Sequence, residues 1–591
     1  MKLYGKKIMA LLLSGCILSG LCGCSVGSTQ AGKSTKDSSG ASEGKTVKTK
    51  KGEETFKDNM SLYDEEEDDG VTTFYLTATR GNSSDGSDHS WKDVNRLMDQ
   101  DYAKMHKKRY KCNALLQVGD ENGPREGELG YGLSSPNGVV LIRGASTANM
   151  EQKNFKIKLN KASDTYRGQR IINLNKHVSD GSRFRNKLCY DLIKDVKGLV
   201  SLRTSFVHLY VKDETEHASD TFVDYGLYTQ VEQLNKDALQ VHGLDRNGQL
   251  YKVNNFEFLS YADTIRLKSD SKYDKDAFEQ LLEIKGNDDH QKLMDMLSDV
   301  NDSSIPIRKV LRKWFDEENL TAFLAFNMLV NNVDTQSQNY YLYSPLNGKK
   351  WYLINWDCDG SFAGVDDAVR GKRVSLGWQS GVSNYWGNVL FRRLLKDETF
   401  CRELDKKVEE VKKQLDDGRL ADLIHRYRSI AKPYAFREPD AEHEELTSSE
   451  YNTMIGKMLS GADTYYEKYK ESLDNPMPFY IGKPSSAGKG YQFTWDPSYD
   501  FHKRGITYTF RLSQDVTMKN SIYEKEGLYT PSCTYDKKLS PGQYFIQVVA
   551  KSDTGRTQVA FDNYFDAEGE SHVGILTFFV GPDGKITLEG E

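Results

Sequence analysis

Alternating apolar and polar positions in the first part of the chain predict a small β-sheet with one helix inserted. Segments 72–79 and 155–159 alternate with the two-residue period of half-buried strands, and the apolar run 139–142 predicts a buried strand. Asp180 precedes a stretch with helical spacing that extends to Ile193. The remaining elements predicted in this part are a helix over 94–105 and strands over 204–211 and 225–231.

The apolar spacing then changes to that of helices. Apolar residues over 311–328 recur at helical intervals and predict one long core helix. A β-hairpin is predicted next, with strands at 340–343 and 351–354 around an Asn-Gly turn. Further helices are predicted over 389–395, 400–415 and 454–473.

From about Pro478 the pattern consists of short alternating strands separated by Gly and Pro turns, which predicts a β-sandwich of roughly a hundred residues. The segment LSPGQY at 539–544 resembles the late-strand corner of fibronectin type III modules. The strands are predicted over 491–495, 506–512, 544–549 and 574–580.

Composition excludes several classes of protein. The chain has 591 residues, enough for two or three domains, and its 38% apolar content excludes a polytopic membrane protein. The formal net charge of −6 gives no basis for a nucleic-acid partner. Eight cysteines over this length do not form a disulfide scaffold, and no Cys/His spacing indicates a zinc site.

The amino terminus predicts export. Lysines precede a short apolar run at 8–18, as in a secretory signal. The sequence LCGC at 21–24 resembles a lipobox, so Cys24 is the predicted lipidation site; Cys16 is a competing match, and an ordinary cleaved signal is the alternative. Residues 25–55 are too polar to fold and form a predicted disordered tether. We expect a lipoprotein on the extracellular face of the cell membrane, in contact with the membrane through this lipid only.

One group of polar residues indicates chemistry. Asp334 and Asn339 are five positions apart directly after the predicted core helix, and Asp357 follows the hairpin. Protein kinases place an acceptor-orienting Asp, a metal-binding Asn and a second metal-binding Asp in this order. Mg²⁺ prefers oxygen ligands, and a carboxylate kept off the metal can accept a proton from the attacking hydroxyl. For each residue alone, a solvated loop or turn cap is the alternative.

Several further motifs resemble the CotH family of spore-coat kinase-like proteins over roughly residues 70–470. The resemblance implies an α+β fold, a divergent two-lobed protein-kinase-like domain, that transfers phosphate from ATP to Ser or Thr of proteins with Mg²⁺ or Mn²⁺. Asp334 would be the catalytic residue, and Asn339 and Asp357 would bind the metal ion. Asp359 would either assist metal binding or only form hydrogen bonds within its own loop. The motifs are RGAST at 143–147, KNFKIKL at 153–159, YGLYTQVEQLNKDAL at 225–239, LYK at 250–252, VDTQSQNYYLY at 333–343 and INWDCDGSF at 354–362.

The same resemblance indicates ATP-binding residues. The family's basic strand matches Lys153 and Lys158, one of which is expected to meet the α- and β-phosphates. Lys156 is a rival because it shares a face with Lys158, and a solvent-facing edge strand is the alternative for all three. Glu232 follows a strand where kinases place the hinge to the adenine, although it also fits the first turn of the next helix.

The phosphate loop and its ion pair depart from the usual kinase pattern. Arg143 and Ser146 are candidates to line a phosphate-covering loop, but no GxGxxG is present. The helix after Asp180 has no obvious inward Glu to pair with the phosphate lysine. Candidate substitutes are Arg183, Arg185 and Asn186.

The predicted organisation is a signal peptide at 1–24, the tether at 25–55, a kinase-like domain at 56–475 and an all-β immunoglobulin/fibronectin-like sandwich at 478–591. Within the kinase-like domain, the small β-rich lobe extends to about residue 255. The predicted function is that of an exported, lipid-anchored atypical kinase acting on surface or spore-coat proteins. A non-catalytic adhesin or an envelope-assembly scaffold on the same fold is the alternative, and the sequence leaves ATP turnover open.

Overall fold

The computed structural model describes residues 56–64, 70–144, 146–371 and 378–589. The predicted signal peptide, the lipidation site Cys24 and the tether at 25–55 lie outside the described residues. In the described part of the chain, no helix is both long and apolar enough to cross a membrane.

The first lobe is built on an eight-stranded sheet that closes on itself. The strand order is β1-β7-β8-β6-β5-β4-β2-β3, and β1 pairs in parallel with β7 and antiparallel with β2. Closure leaves β1 without a free edge. The strands are β1 (Val71–Thr79), β2 (Lys111–Asp120), β3 (Gly123–Pro124), β4 (Gly138–Arg143), β5 (Asn154–Leu159), β6 (Ile171–Asn175), β7 (Thr204–Asp213) and β8 (Val223–Glu232).

Three helices accompany this sheet, and the third positions the functional site. It is buried along its whole length. The Asp180 carboxylate accepts hydrogen bonds from the backbone N–H groups of Ser182 and Arg185, each at 2.8 Å. Asp180 therefore precedes the helix, which begins at Arg185, and satisfies its first backbone N–H group. The helices are α1 (Trp91–Arg96), α2 (Asp99–Met105) and α3 (Arg185–Ile193).

The second lobe is mostly helical and contains a four-stranded sheet in the order β10-β9-β11-β12. Its strands are β9 (Gln249–Val253), β10 (Leu282–Ile284), β11 (Tyr340–Ser344) and β12 (Tyr352–Asn355). Its helices are α4 (Lys236–Val241), α5 (Lys275–Leu281), α6 (Gln291–Asn301), α7 (Ile307–Trp314), α8 (Glu317–Leu329), α9 (Val365–Val369), α10 (Gly381–Tyr385), α11 (Val389–Leu395), α12 (Glu398–Gln414), α13 (Leu420–Ala435), α14 (Ser448–Leu459) and α15 (Gly461–Asp474).

The prediction of one long helix over 311–328 is wrong, because the structure has two helices, α7 and α8. Phe315 is extended and forms a β-bridge with Trp351. Asp316 then caps α8 by accepting a hydrogen bond from the Asn319 N–H at 2.9 Å. Both helices bury apolar residues at helical spacing, so the periodicity alone does not reveal the break. In the same way, the predicted helix over 454–473 divides into α14 and α15.

A buried asparagine joins α8 to the hairpin. The Asn319 amide nitrogen donates to the carbonyl oxygens of Gly198 at 2.9 Å and Leu353 at 3.0 Å. Its amide oxygen accepts the Leu353 N–H at 2.7 Å. Asn319 is fully buried, so these partners replace water for every polar atom involved. The hairpin strand β12 is thereby fixed against α8 and against the first-lobe loop that contains Gly198.

The carboxy-terminal part is an all-β sandwich around a core that includes Phe493, Phe510 and Phe578. Tyr544 Oη donates to the Ser540 carbonyl at 2.8 Å, which is the bond of a tyrosine corner. The fibronectin type III-like assignment stays a prediction. The strands are β13 (Ser485–Ala487), β14 (Gly490–Thr494), β15 (Ile506–Ser513), β16 (Ser521–Leu528), β17 (Ser532–Tyr535), β18 (Gly542–Ser552), β19 (Thr557–Val559), β20 (Asn563–Phe565), β21 (Ser571–Val573), β22 (Ile575–Val580) and β23 (Ile586–Leu588).

The Asn319 bridge gives a first prediction. Asn319→Ala removes three hydrogen bonds and leaves the buried N–H and carbonyl groups of Leu353 without these partners, so the free energy of unfolding should fall by about 3 kcal/mol. Denaturant unfolding of the purified chain measures this. The exposed Asn122→Ala is the control, with an expected change within about 0.5 kcal/mol. Equal stability of the two variants would contradict the role of Asn319.

Candidate functional site

The loop after α8 presents Asp334 and Asn339 together. Asp334 lies in a single helical turn over Val333–Gln336 and is half-buried. The Asn339 amide nitrogen donates to Asp334 Oδ2 at 3.0 Å, which leaves the amide oxygen of Asn339 available to face a cation. Asn339 has a left-handed backbone, with φ of 59°, a conformation that asparagine tolerates better than most residues.

The end of the hairpin delivers Asp357 to the same place. The Trp356 N–H donates to the Asn339 carbonyl at 3.1 Å and ties the two loops together. Asp357 has a left-handed backbone, with φ of 55°. Its N–H donates to Tyr190 Oη at 3.2 Å, and the Cys358 N–H donates to Asn186 Oδ1 at 3.1 Å. Helix α3 therefore fixes the turn that carries Asp357.

Three carboxylates converge in this turn. A Cβ placed on Gly360 would lie 3.6 Å from Asp334 Oδ2, so the turn passes close to the catalytic candidate. Burial, followed by the charge of Asp359, raises the pKa of Asp334 and raises that of Asp357 to about 6. Burial also opposes ionisation of Asp359, but His177, whose Nδ1 is 3.5 Å away, outweighs it and the pKa of Asp359 is lowered. Repulsion among these groups favours a bound cation.

Positive charges lie next to the carboxylates. The Arg143 guanidinium lies over the Trp356 ring at 5.7 Å and lowers the pKa of Asp357 against the effect of burial. Burial, followed by the charge of Arg143, lowers the pKa of Lys156 to about 7. Lys156 forms no ion pair with a described carboxylate, although Glu283 acts on it from a greater distance. An anionic ligand would favour the protonated form of this amine and raise its pKa again, so a lysine in these surroundings is suited to bind an anion.

Glu283 organises two further lysines. Its carboxylate pairs with Lys252 at 3.2 Å and Lys285 at 2.6 Å. Lys252 also acts on Asp357, and Lys285 acts on Lys156. Sequence reasoning missed Lys252, Lys285, Glu283 and His177 as site residues. Lys252 belongs to the motif LYK at 250–252, whereas no signal in the sequence indicated the other three.

The donor set fits a hard divalent cation. Asn339 and Asp357 offer oxygen atoms from two adjacent loops. Among the described residues, no group of three or more His, Cys, Asp or Glu side chains is arranged to hold a metal ion by itself. Mg²⁺ does not require such a cage, because it keeps water ligands and takes substrate phosphate oxygens beside one or two carboxylates. The residues present are therefore compatible with Mg²⁺ bound together with a nucleotide.

The structure keeps Lys153, one of the two predicted ATP-binding lysines, away from this group, whereas the charge of the other, Lys158, adds to the effect of burial in lowering the pKa of Lys156. The Lys153 amine donates to the Ala148 carbonyl at 2.8 Å, and Lys158 is exposed on β5. Lys156, the rival on the same strand, faces Arg143 and Glu283. The geometry thus favours Lys156, because it combines partial burial with proximity to the other charged groups.

Glu232 is also placed differently from its prediction. Its carboxylate pairs with Arg203 at 2.5 Å and with His242 at 2.9 Å, and His242 also bonds Asp58 at 2.6 Å. Burial raises the pKa of Glu232, but His242 and Arg203 outweigh it and lower the pKa to about 2. Glu232 ends β8, and α4 begins only at Lys236, so the first-turn alternative is wrong. The side chain serves an internal ionic network.

The candidate substitutes for the missing Glu separate into two groups. Arg183 pairs with Glu444 at 3.3 Å, and Arg185 pairs with Asp366 at 2.7 Å, although the charge of Arg185 also lowers the pKa of Asp359 against the effect of burial. Asn186 contacts the turn itself through the Cys358 N–H. The side chain of Ser146 lies outside the described residues, and Arg143 reaches the site as described above.

A surface cavity elsewhere in the second lobe, with a volume of about 590 Å³, is lined by residues that include Lys292, Asp299 and Trp314. None of the site residues described above lines it. The carboxylate turn, with its converging polar groups, remains the better candidate for chemistry.

Comparison with known proteins identifies the family. Inner spore coat protein H of Bacillus subtilis (strain 168) is 24% identical over 281 residues, which cover 47% of this chain and 71% of that protein. A Helicobacter pylori proinflammatory kinase, CtkA, is 13% identical and covers 54% of this chain and 94% of its own, but a TM-score of 0.25 adds nothing to the assignment. The sequence model of the CotH kinase protein family matches residues 140–467, more than half of the chain, and this range contains every site residue named above except Asp58. The chain therefore belongs to the CotH kinase family.

Proposed function

We propose that this chain is an atypical protein kinase that transfers the γ-phosphate of ATP to Ser or Thr hydroxyls of a surface or spore-coat protein, with Mg²⁺ or Mn²⁺. The observation that carries the proposal is the convergence of Asp334 with the Asp357–Asp359 pair from a separate stretch of chain, beside the cations Arg143 and Lys156. The name of the Bacillus relative, an inner spore coat protein, supports a coat protein as the acceptor.

Asn339 and Asp357 are the residues that would hold the metal ion. When bound, Mg²⁺ or Mn²⁺ neutralises charge on the phosphates during transfer. Tyr190 and Asn186 fix the backbone of the turn, so the Asp357 carboxylate is positioned before any ligand arrives. His177 keeps Asp359 ionised, which adds negative charge to the same site.

Asp334 is suited to accept the proton of the acceptor hydroxyl. Its Oδ2 accepts the Asn339 N–H at 3.0 Å, and the Gln338 side chain also acts on the carboxylate, so neighbouring amides hold the group in place for the substrate. Burial and the charge of Asp359 raise its pKa, which makes the carboxylate a better base near neutral pH. The proton of the hydroxyl passes to Asp334 as the hydroxyl oxygen bonds the γ-phosphorus and ADP leaves.

Lys156 and Arg143 are the proposed partners of the nucleotide phosphates. Each is half-buried, so a phosphate is not screened there by bulk water. The proton that Lys156 binds weakly in the free chain becomes firmly held when a phosphate lies against the amine.

We also propose that the chain is exported and anchored by lipid at Cys24 on the outer face of the cell membrane. The basic and apolar residues at the amino terminus and the lipobox-like LCGC at 21–24 support this. The polar segment that follows would then hold the kinase-like domain away from the membrane.

Variants of two carboxylates separate catalysis from metal binding. Asp334→Asn should reduce phosphate transfer from radiolabelled ATP by about 100-fold or more while Mg²⁺-dependent nucleotide binding persists, because only the proton acceptor is lost. Asp357→Asn should reduce both, because a metal ligand is lost. The exposed Asp220→Asn serves as the control. Equal labelling by wild type and both variants would contradict the assignment and leave an adhesin or scaffold as the better description.

The Asp357 carboxyl also predicts a pH dependence of stability. Its pKa in the folded chain, about 6, lies above the value of about 4 for an unfolded aspartate. The stabilising effect of this shift is fully present below pH 4 and is lost as the pH rises through 6. Asp357→Asn should therefore stabilise the ligand-free chain by about 2 to 3 kcal/mol at pH 8 and have little effect at pH 4. Thermal melts across this range test it; a destabilised variant at pH 8 would contradict it.

Two lysines on one strand provide a matched pair for nucleotide binding. Lys156→Met should raise the Kd for Mg²⁺–ATP about tenfold or more, because a charge-assisted contact to phosphate is lost. Lys158→Met removes the same charge from the exposed neighbour on β5 and should change the Kd by less than about threefold. Titration calorimetry measures both. A larger effect at Lys158 would restore the original prediction and reject Lys156.

A further inference from the structure

The sandwich packs directly on the helical lobe. Trp386 stacks on Tyr499 with ring centroids 5.2 Å apart, and Phe501 meets Trp386 edge-on at 5.7 Å. A salt bridge between Arg556 of the sandwich and Glu471 of the helical lobe, at 3.1 Å, also joins the two parts. The sandwich is therefore fixed in position relative to the helices around the site.

A second group of aromatic residues lies at another part of this interface. Phe561 of the sandwich packs edge-on against Trp378 of the helical lobe at 5.0 Å and lies 4.9 Å from Tyr480. We call Trp378, Tyr480 and Phe561 the aromatic shelf. All three are half-buried, so each ring keeps an accessible surface. Aromatic residues of this kind are those that most often dominate binding of a polypeptide.

The aromatic shelf adjoins the loop that carries Asp334. A Cβ placed on Gly387 would lie 3.4 Å from Tyr480 Oη, 3.7 Å from Phe561 Cζ and 3.9 Å from Gln336 Oε1. Gln336 follows Asp334 by two residues. The sandwich and the catalytic loop thus border the same small space at Gly387.

Gln336 is held in place at this border. The Asn388 amide nitrogen donates to the Gln336 carbonyl at 2.9 Å, and the Gln336 amide nitrogen donates to Ser337 Oγ at 2.9 Å. A ligand on the aromatic shelf would therefore contact a Gln336 that hydrogen bonds hold in one position. The position of the aromatic shelf relative to Asp334 is set by the fold.

Charged groups limit what fits beside the rings. Burial, followed by the charge of Glu257, raises the pKa of Tyr480, so its hydroxyl remains a hydrogen-bond donor. Burial raises the pKa of Glu257 as well, and Arg392 acts against it. The space thus combines apolar ring surfaces with a hydroxyl donor, which suits the side chains and backbone carbonyls of a peptide.

We propose that the aromatic shelf binds the acceptor polypeptide, in an extended segment that places an apolar side chain on Phe561 and Tyr480 and its Ser or Thr hydroxyl at Asp334. This rests on the proposed function and adds the chemistry of the acceptor. Continuity with the catalytic loop supports this occupant, since a segment on the aromatic shelf lies beside Gln336, two residues after the residue that receives the hydroxyl. Tyr480 and Phe561 lie beyond residues 140–467, so the sandwich contributes to acceptor choice.

Peptide binding and transfer test the proposal on the full chain. The probes are synthetic peptides with one Ser, flanked either by Leu and Phe or by Gly alone. Wild type should bind and phosphorylate the apolar peptides preferentially. Phe561→Ala and Tyr480→Ala should raise the KM for these peptides about tenfold while kcat and the Kd for Mg²⁺–ATP stay within about twofold.

Two controls separate loss of the surface from loss of the fold. Tyr529→Ala removes an exposed sandwich ring, 84% accessible, and should leave peptide binding unchanged. Phe561→Leu retains apolar volume and should fold as wild type with an intermediate KM. Thermal melts of each variant exclude unfolding as the cause of a change.

The outcomes distinguish this proposal from the proposed function. Peptide binding that is lost in Phe561→Ala but accompanied by no transfer in wild type supports the aromatic shelf and rejects the kinase. Transfer that is indifferent to Phe561 and Tyr480 rejects the aromatic shelf and leaves the kinase. Failure of wild type to bind any peptide, or equal binding of the apolar and Gly-flanked peptides, also overturns the proposal.

Discussion

The crowding of three carboxylates at the end of the β11–β12 hairpin is the constraint around which the rest of the structure is arranged. Burial raises the pKa of Asp334 and Asp357, and repulsion from the like charge of Asp359 raises it further. Such an arrangement persists only because other contacts hold the backbone, and it is relieved when a cation binds. The unfavourable electrostatics of the free chain are in this sense the basis of its affinity for a metal-bound nucleotide.

The contacts that hold this arrangement come from every part of the kinase-like domain. Asn319 fixes the hairpin on α8, the Asn339 carbonyl receives the Trp356 N–H, and α3 bonds the turn through Tyr190 and Asn186. The left-handed backbones of Asn339 and Asp357 add local strain, which is common at functional sites. The closed sheet of the first lobe contributes Arg143 and Lys156 on its paired strands β4 and β5, so both lobes are needed to complete the site.

Local patterns in the sequence predicted β1, β4, β5, β7, β8 and the hairpin strands, either from a two-residue period, as in β5, or from a continuous apolar run, as in β4. They missed β2, β6, β9 and β10. They predicted Asp334, Asn339 and Asp357 because the order of these residues around a helix and a hairpin is itself a local signal. The closure of the first-lobe sheet on itself was not predictable, since the pairing of β1 with β2 and β7 depends on segments that are distant in sequence. The choice between Lys156 and Lys158 was also beyond the sequence, because the two share a face of β5 and only their different burial and distance from Arg143 and Glu283 separate them. The break at Asp316 was hidden by apolar positions that continue in phase on both sides.

A crystal structure with Mn²⁺ and a non-hydrolysable ATP analogue is the most direct test of the central claim. The account predicts an anomalous Mn²⁺ peak within about 2.5 Å of oxygen atoms of Asn339 and Asp357, with a phosphate against the Lys156 amine. A peak elsewhere, or an analogue bound with no metal near Asp357, would contradict it.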